Sequence, residues 1–311
     1  MSVIQVGLVD VAGDLDPKLV QATAAALNVQ VMRDLPQFWN VTATVLYLPS
    51  PKDIPVGVWP VRLVKTLPPG EGGVHLDKHN QPYSLVIGTP GSDDWTIDAS
   101  HETIEMLVDP AGNRLQTSRA ITIDGNGVRD GAGEFQYLVE ACDPCEANDC
   151  AYSIQGIAVS DFITPHFYDP VTTPGTRYSF AGHLTAPRQV LPGGYISFIN
   201  SESDEWQQIL FLGATPQLRD LGPAQGASLR VWVDGQTEGM TRKVKRPNTA
   251  LLEECRRRRA SMDRGARLRA ARYAPAPAAA GVAPDDGQSP ELPAARRTGN
   301  TSTTARRRGR T

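Results

Sequence analysis

Two rhythms of apolar and polar positions run along the first two thirds of this chain. Val3 to Val11, rich in valine, isoleucine and leucine, reads as a first strand. Behind Asp16, a competent helix cap, and Pro17, which suits a first helical turn, Val20, Ala24, Leu27 and Val31 recur at helical spacing. Ala43 to Leu48, closed by Pro49 and Pro51, is a second strand, and Val61 to Leu67 a third extended segment. Tyr83 to Gly88 is a short, edge-like strand ended by Thr89-Pro90-Gly91. Asp98 then caps a helix that Pro110-Ala111-Gly112-Asn113 terminates. This order predicts an α/β (α+β) fold with a mixed sheet and one helix of special chemistry.

The pattern then turns to β and loop. Ala120 to Ile123 and Glu134 to Glu140 flank Asp124-Gly125-Asn126-Gly127, a hairpin turn signal. Ile154 to Val159 and Gly194 to Ile199 are further strands, and no internal repeat is visible. The expected organisation is a first domain over 1–165, a β-rich extension packed on it over 166–240, and a tail over 241–311. That tail holds Arg256 to Arg259, an Ala/Pro-rich stretch from Tyr273 to Pro284, and Arg306 to Arg308. Its composition cannot bury enough apolar surface to fold alone, so disorder is expected there.

Charge divides the chain at the same point. The net charge of −3 conceals 18 Lys/Arg against 6 Asp/Glu from Thr241 onward, and 13 against 28 before it. The acidic front suits cations rather than nucleic acid, whereas the basic back suits weak, non-specific contact with nucleic acid through counterion release. No apolar run is long enough to cross a bilayer, so no membrane partner is expected. The first residues read as a strand, without a basic n-region or a small-residue cleavage site. A cytoplasmic or phage-associated product is the expectation.

The chemistry concentrates in Ser100 to Pro110. On a helix, His101, Glu105 and Asp109 (i, i+4, i+8) and Glu102 fall within about a third of the circumference. Ile104, Met106, Leu107 and Val108 take most of the rest, so the helix should be buried. Buried like charges repel and lose hydration, and Glu105 and Asp109 sit at the helix end that disfavours anions. A divalent ion resolves all three conflicts. His-Glu-x-x-His on a helix is the zinc-hydrolase signature, with the Glu as base for a metal-bound water. Here Glu105 replaces the second His, and carboxylate oxygen is also a competent zinc ligand.

The His-Glu-x-x-Glu helix ending in Asp109-Pro110, followed by Glu140-x-x-Asp143 at the end of an apolar strand, resembles zincin-like proteins of a variant type. Such proteins occur in bacteria and phages, and plant exordium-type proteins carry a related helix. The resemblance spans about residues 80–170. It implies His101 and Glu105 as metal ligands, Glu102 as general base and Glu140 as third ligand, with Asp109 or Asp143 as alternates. It further implies hydrolysis of peptide or protein substrates; the imidazole favours Zn2+ as the ion, and the oxygen-rich set leaves Mn2+ or Ca2+ as alternatives. The rival expectation is a non-catalytic phage or mobile-element structural protein that the metal stabilises.

Other groups carry less. Cys142, Cys145 and Cys150 have a spacing that thiolate ligands could use, but only one close pair exists, and flanking acids oppose a lowered thiol pKa. Reduced bystander thiols are expected. His75 and His79 read as part of a polar loop, and His166 and His183 show no partner pattern.

Overall fold

The structure, a computed structural model, describes residues 3–68, 72–125, 127–226, 228–237, 240 and 248–273. It is a mixed α+β protein, as the pattern predicts. Strands β1 (Ile4–Asp10), β2 (Ala43–Leu48), β3 (Val58–Val64), β4 (Gly73–Asp77) and β5 (Pro82–Ile87) form one sheet in the order β2-β1-β3-β5-β4. Four run parallel; β4, at the edge, is antiparallel to β5. Strand β3 starts three residues earlier than expected and holds Pro60, a residue that disfavours strand interiors, within it. Pro60 pairs with Gly7 of β1 before the β5 pairing begins at Val61, so the N–H it lacks is not missed on that side.

Helix α1 (Pro17–Val29) begins as the sequence suggests: Asp16 Oδ1 accepts from the Lys18 N–H, with Pro17 in the first turn. It packs on β1 and β2. Helix α2 (Trp95–Val108) packs on β4 and β5 and touches α1, which places both helices on one face of the sheet. Val6 and Leu8 point into that layer with Leu27, Leu63 and Ile104, all fully buried. Each such side chain contributes about 1.5–3 kcal/mol by leaving water. Val9, Leu48 and Val58 cover the opposite face.

The chain runs straight from α2 into a second sheet. Strands β6 (Leu115–Asp124) and β7 (Gly127–Leu138) form a long hairpin, and β8 (Tyr152–Ile154) and β9 (Ile157–Val159) a short one. The single strand expected over 154–159 is thus two strands. The Gln155-Gly156 turn, with φ of 51° and 81°, reverses the chain between them. Strands β10 (Tyr195–Asn200), β11 (Glu205–Leu210) and β12 (Gln217–Gly222) complete the antiparallel order β12-β11-β10-β7-β6. Because Phe198 of β10 pairs with Tyr137 of β7, the expected boundary at 165/166 falls within a region joined by one sheet.

Helix α3 (Leu229–Thr237) rests Val233 against Leu138 and Trp206. Helix α4 (Thr249–Tyr273) occupies a stretch expected to lack structure, and its Leu252 and Cys255 pack on Ile97 and Ala158. The expected tail is therefore helical over 249–273. The rest of it, 241–247 and 274–311 with the Ala/Pro-rich stretch and Arg306 to Arg308, lies outside the described residues. By internal contacts, residues 1–267 form one unit and 268–311 another. Among the described residues no helix is long and apolar enough to cross a membrane.

Candidate metal centre

Thirteen of the fourteen residues of α2 are buried; Asp98 is the exception. The helix starts at Trp95, not after Asp98, so Asp98 lies in its first turn, where its charge complements the helix dipole. Side-chain hydrogen bonds fix the helix in place. Ser100 Oγ donates to Gln30 Oε1 (2.8 Å) and accepts from the Ser160 N–H (3.0 Å), while Gln30 Nε2 donates to the Ser160 carbonyl (3.0 Å). Gln30 belongs to a π-helical turn, Gln30–Asp34, that follows α1.

From that position α2 turns His101, Glu102 and Glu105 toward three other segments. His75 comes from β4, Glu140 and Asp143 from the chain just after β7, and Arg230 from α3. All seven are at most 6% exposed. His101 Nε2 lies 3.1 Å from Glu105 Oε2 and 3.2 Å from Asp143 Oδ1. His75 Nδ1 lies 3.6 Å from Glu105 Oε2 and 3.7 Å from Glu102 Oε2. Two trios capable of holding an ion thus share Glu105: His101-Glu105-Asp143 and His75-Glu102-Glu105. Glu105 Oε1 is fixed separately by the Cys142 N–H (3.0 Å), leaving Oε2 to face both histidines.

Arg230 closes the cluster from the side of α3. Its Nη1 lies 2.8 Å from Glu140 Oε2, 3.0 Å from Asp143 Oδ2 and 3.5 Å from Glu105 Oε2; its Nε lies 2.7 Å from Asp234 Oδ2. The Asp143 contact is a directed hydrogen bond. The Glu140 contact is Coulombic, since neither Glu140 oxygen has a hydrogen-bond partner.

Glycine makes room for one of these groups. Gly73 of β4 faces α2 so closely that a Cβ there would stand 2.6 Å from Glu102 Cγ.

The electrostatics follow from this crowding. Burial opposes charge on His101, but Glu105 and Asp143 hold its pKa well above the usual imidazole range. His75 is raised likewise, against its burial, by Glu102 and Glu105. Burial alone would raise Glu105; the positive charges of His101 and Arg230 reverse this and hold it well below the usual carboxylate range. Burial pushes Glu140 well up, more than Arg230 offsets, and pushes Asp234 up to about 7. Glu102, Glu105, Glu140, Asp143 and Asp234 thus crowd five carboxyl groups around one guanidinium and two imidazoles. Glu102 Oε2, Glu105 Oε2, Asp143 Oδ1 and both His75 ring nitrogens also lack a hydrogen-bond partner, a costly condition in the interior.

The residues singled out by sequence are distributed as follows. His101, Glu102, Glu105, Glu140 and Asp143 all reach the cluster. Asp143 stands in reach of His101, whereas Glu140 lies against Arg230. Asp109 does not join them: it ends α2, and its Oδ2 accepts from the Arg114 N–H (2.7 Å). Sequence reasoning missed His75, which is strand and not loop, and Arg230. The one local signal for Arg230 was its i, i+4 spacing to Asp234. Cys142, Cys145 and Cys150 are buried free thiols. Comparison with protein-family models, with curated proteins and with solved structures finds no match for this chain.

Proposed function

We propose that this chain holds a divalent cation on His101, Glu105 and Asp143, and that the centre is that of a zincin-like, metal-dependent hydrolase acting on peptide bonds. The observation that carries the reading is the convergence of His101 Nε2, Glu105 Oε2 and Asp143 Oδ1. Two ligands at about 2.0–2.1 Å from a tetrahedral zinc stand roughly 3.3–3.4 Å apart. The two separations made by His101, 3.1 and 3.2 Å, approach that value. The unpartnered Glu105 and Asp143 oxygens are donors of the chemistry a cation takes. Zinc fits the imidazole, and manganese or calcium remains compatible with two carboxylates.

A bound ion would polarise the scissile carbonyl and lower the pKa of a water. Within this chain Glu102 is the residue to accept that proton, because it neighbours Glu105 in the cluster and its Oε2 is committed to no hydrogen bond. Glu140 contacts Arg230, and the two hold the Asp143 segment against α3.

One observation favours a second reading. The three ligands and Glu102 are at most 4% exposed, so the site as folded leaves little room for a substrate, which suits a metal that stabilises a non-catalytic structural protein.

Metal analysis of protein purified without added metal, paired with a quenched fluorescent peptide mixture, separates the two. The hydrolase reading expects near-stoichiometric metal, lost in His101→Ala, Glu105→Ala and Asp143→Ala. It further expects Glu102→Gln to keep the metal while hydrolysis falls by roughly 10²–10⁴-fold. Metal without hydrolysis, and indifference to Glu102→Gln, would favour the structural reading. Absence of metal from the wild type after incubation with Zn2+ and Mn2+ would end both.

A further inference from the structure

Helix α4 carries eight arginines against three acids, in a chain whose net charge is −3. The helix is held by one narrow face. Leu252 and Cys255 are buried against Ile97 and Ala158. Arg259 belongs to the same face: Nη1 donates to the Gly156 carbonyl (2.5 Å), Nη2 contacts Asp93 Oδ2, and Arg256 Nε reaches the same oxygen at 3.1 Å. Positions 252, 255 and 259 lie on one side of a helix (i, i+3, i+7).

At about 100° per residue, Arg257 and Arg264 then lie on the opposite side, flanked by Arg258 and Arg267. All four are exposed, and among the described residues no acid pairs with them. After Glu254 the only acid in the helix is Asp263, which lies toward the docked side and lines a groove with Arg259 and Met262. The outward arginines span about 15 Å along the axis at 1.5 Å per residue.

We propose that this outward face of α4 is a docking surface for the phosphate backbone of duplex nucleic acid, read without regard to base sequence. Guanidinium groups match phosphate oxygens in charge and in bidentate geometry. A row about 15 Å long covers four to five base pairs at the roughly 3.4 Å spacing of successive phosphates on a strand. The four positions are interleaved with Ala260, Ser261 and Ala266, and no aromatic ring among them could stack on a base, so backbone contact is the available mode. A helix lying on a lipid surface needs a continuous free apolar face; here Leu252 and Cys255 are spent on Ile97 and Ala158, and the exposed apolar side chains that remain, Met262 and Leu268, are isolated among arginines. The inference is independent of the metal centre, since these arginines touch none of its residues.

The test is anisotropy of a labelled short duplex titrated with the full chain across salt. Four phosphate contacts predict a log–log slope steeper by about 3.6, equivalent to roughly a hundred-fold loss of affinity between ~50 and ~200 mM salt. Replacing Arg257, Arg258, Arg264 and Arg267 together by Ala should flatten the slope by that amount. Arg257→Ala with Arg264→Ala should remove about half of it. Lysine at the same four positions should keep most of the slope. The thermal midpoint of the alanine variant should match the wild type, because none of the four side chains is buried. A slope unchanged in the fourfold alanine variant would overturn the proposal, placing any binding elsewhere on the chain. So would capture by phosphatidylserine-containing vesicles without binding of the duplex.

Discussion

Gly73 and Glu102 claim the same space: a Cβ on Gly73 would stand 2.6 Å from Glu102 Cγ and 2.7 Å from its Oε1. The edge strand β4 can lie this close to α2 only because position 73 has no side chain. Gly73→Ala should therefore force Glu102 aside or push β4 outward, at about 1–3 kcal/mol of overpacking cost. On the hydrolase reading, peptide cleavage should fall by far more than metal content, since the three atoms nearest to a Cβ at residue 73 all belong to Glu102. Melting temperature, metal analysis and turnover on one preparation check this. Full activity in a stable alanine variant would remove Glu102 from the role given to it.

Among the described residues Arg230 is the only guanidinium in the cluster, and it contacts Glu105, Glu140, Asp143 and Asp234 at once. Arg230→Met keeps much of the aliphatic volume and removes the charge. The acids left behind are buried without their counterion, a loss of about 3–5 kcal/mol. Urea denaturation should show that drop, with Asp234→Asn much milder because Asp234 is the most exposed of the four acids. A Met variant as stable as wild type would mean that something other than Arg230 neutralises the cluster.

How far this site could be read in advance depended on whether its chemistry was local. The acid stripe on α2 was legible because one helix carries both the apolar background and the charges. Glu140 and Asp143 were legible as a pair. The difference between them was not, because it arises where the chain turns after β7 and the Cys142 N–H bonds Glu105. His75 was hidden for a different reason. Gly72-Gly73 resembles a loop when read locally, whereas Gly73 is glycine because a helix from elsewhere in the chain needs the space. Likewise α4 reads as a charged tail by composition. Two buried residues, Leu252 and Cys255, suffice to dock its first turns, and they are too few to register as an amphipathic stripe.

The cysteines near the cluster should be inert. Burial pushes the Cys142 and Cys145 thiols well up, and pushes Cys150 up to about 12. At neutral pH all three are thiols, and the thiolate is the reactive form. Native protein should resist iodoacetamide over hours, while all four cysteines alkylate promptly in denaturant, as counted by mass spectrometry. Rapid native labelling at Cys142 or Cys145 would revive a redox role for that pair.

His183 offers a pH test away from the proposed ligands. Its Nδ1 lies 2.9 Å from Asp161 Oδ2, and Asp161 is fully buried, with Oδ1 taken by the Phe162 and Ala181 N–H groups. The hydrogen bond to Asp161 raises the His183 pKa, and partial burial offsets only part of this. A histidine raised on folding stabilises the native state fully below its unfolded pKa of roughly 6.5, and that contribution fades as pH rises through the folded value. The ring is about a third exposed, so the effect should be modest and should shrink with salt. Urea midpoints measured across this window should fall with rising pH in the wild type. His183→Gln, which keeps a donor for Asp161 but cannot titrate, should lose that component of the slope. Identical pH profiles for the two proteins would show that the His183–Asp161 contact carries no charge-dependent stability.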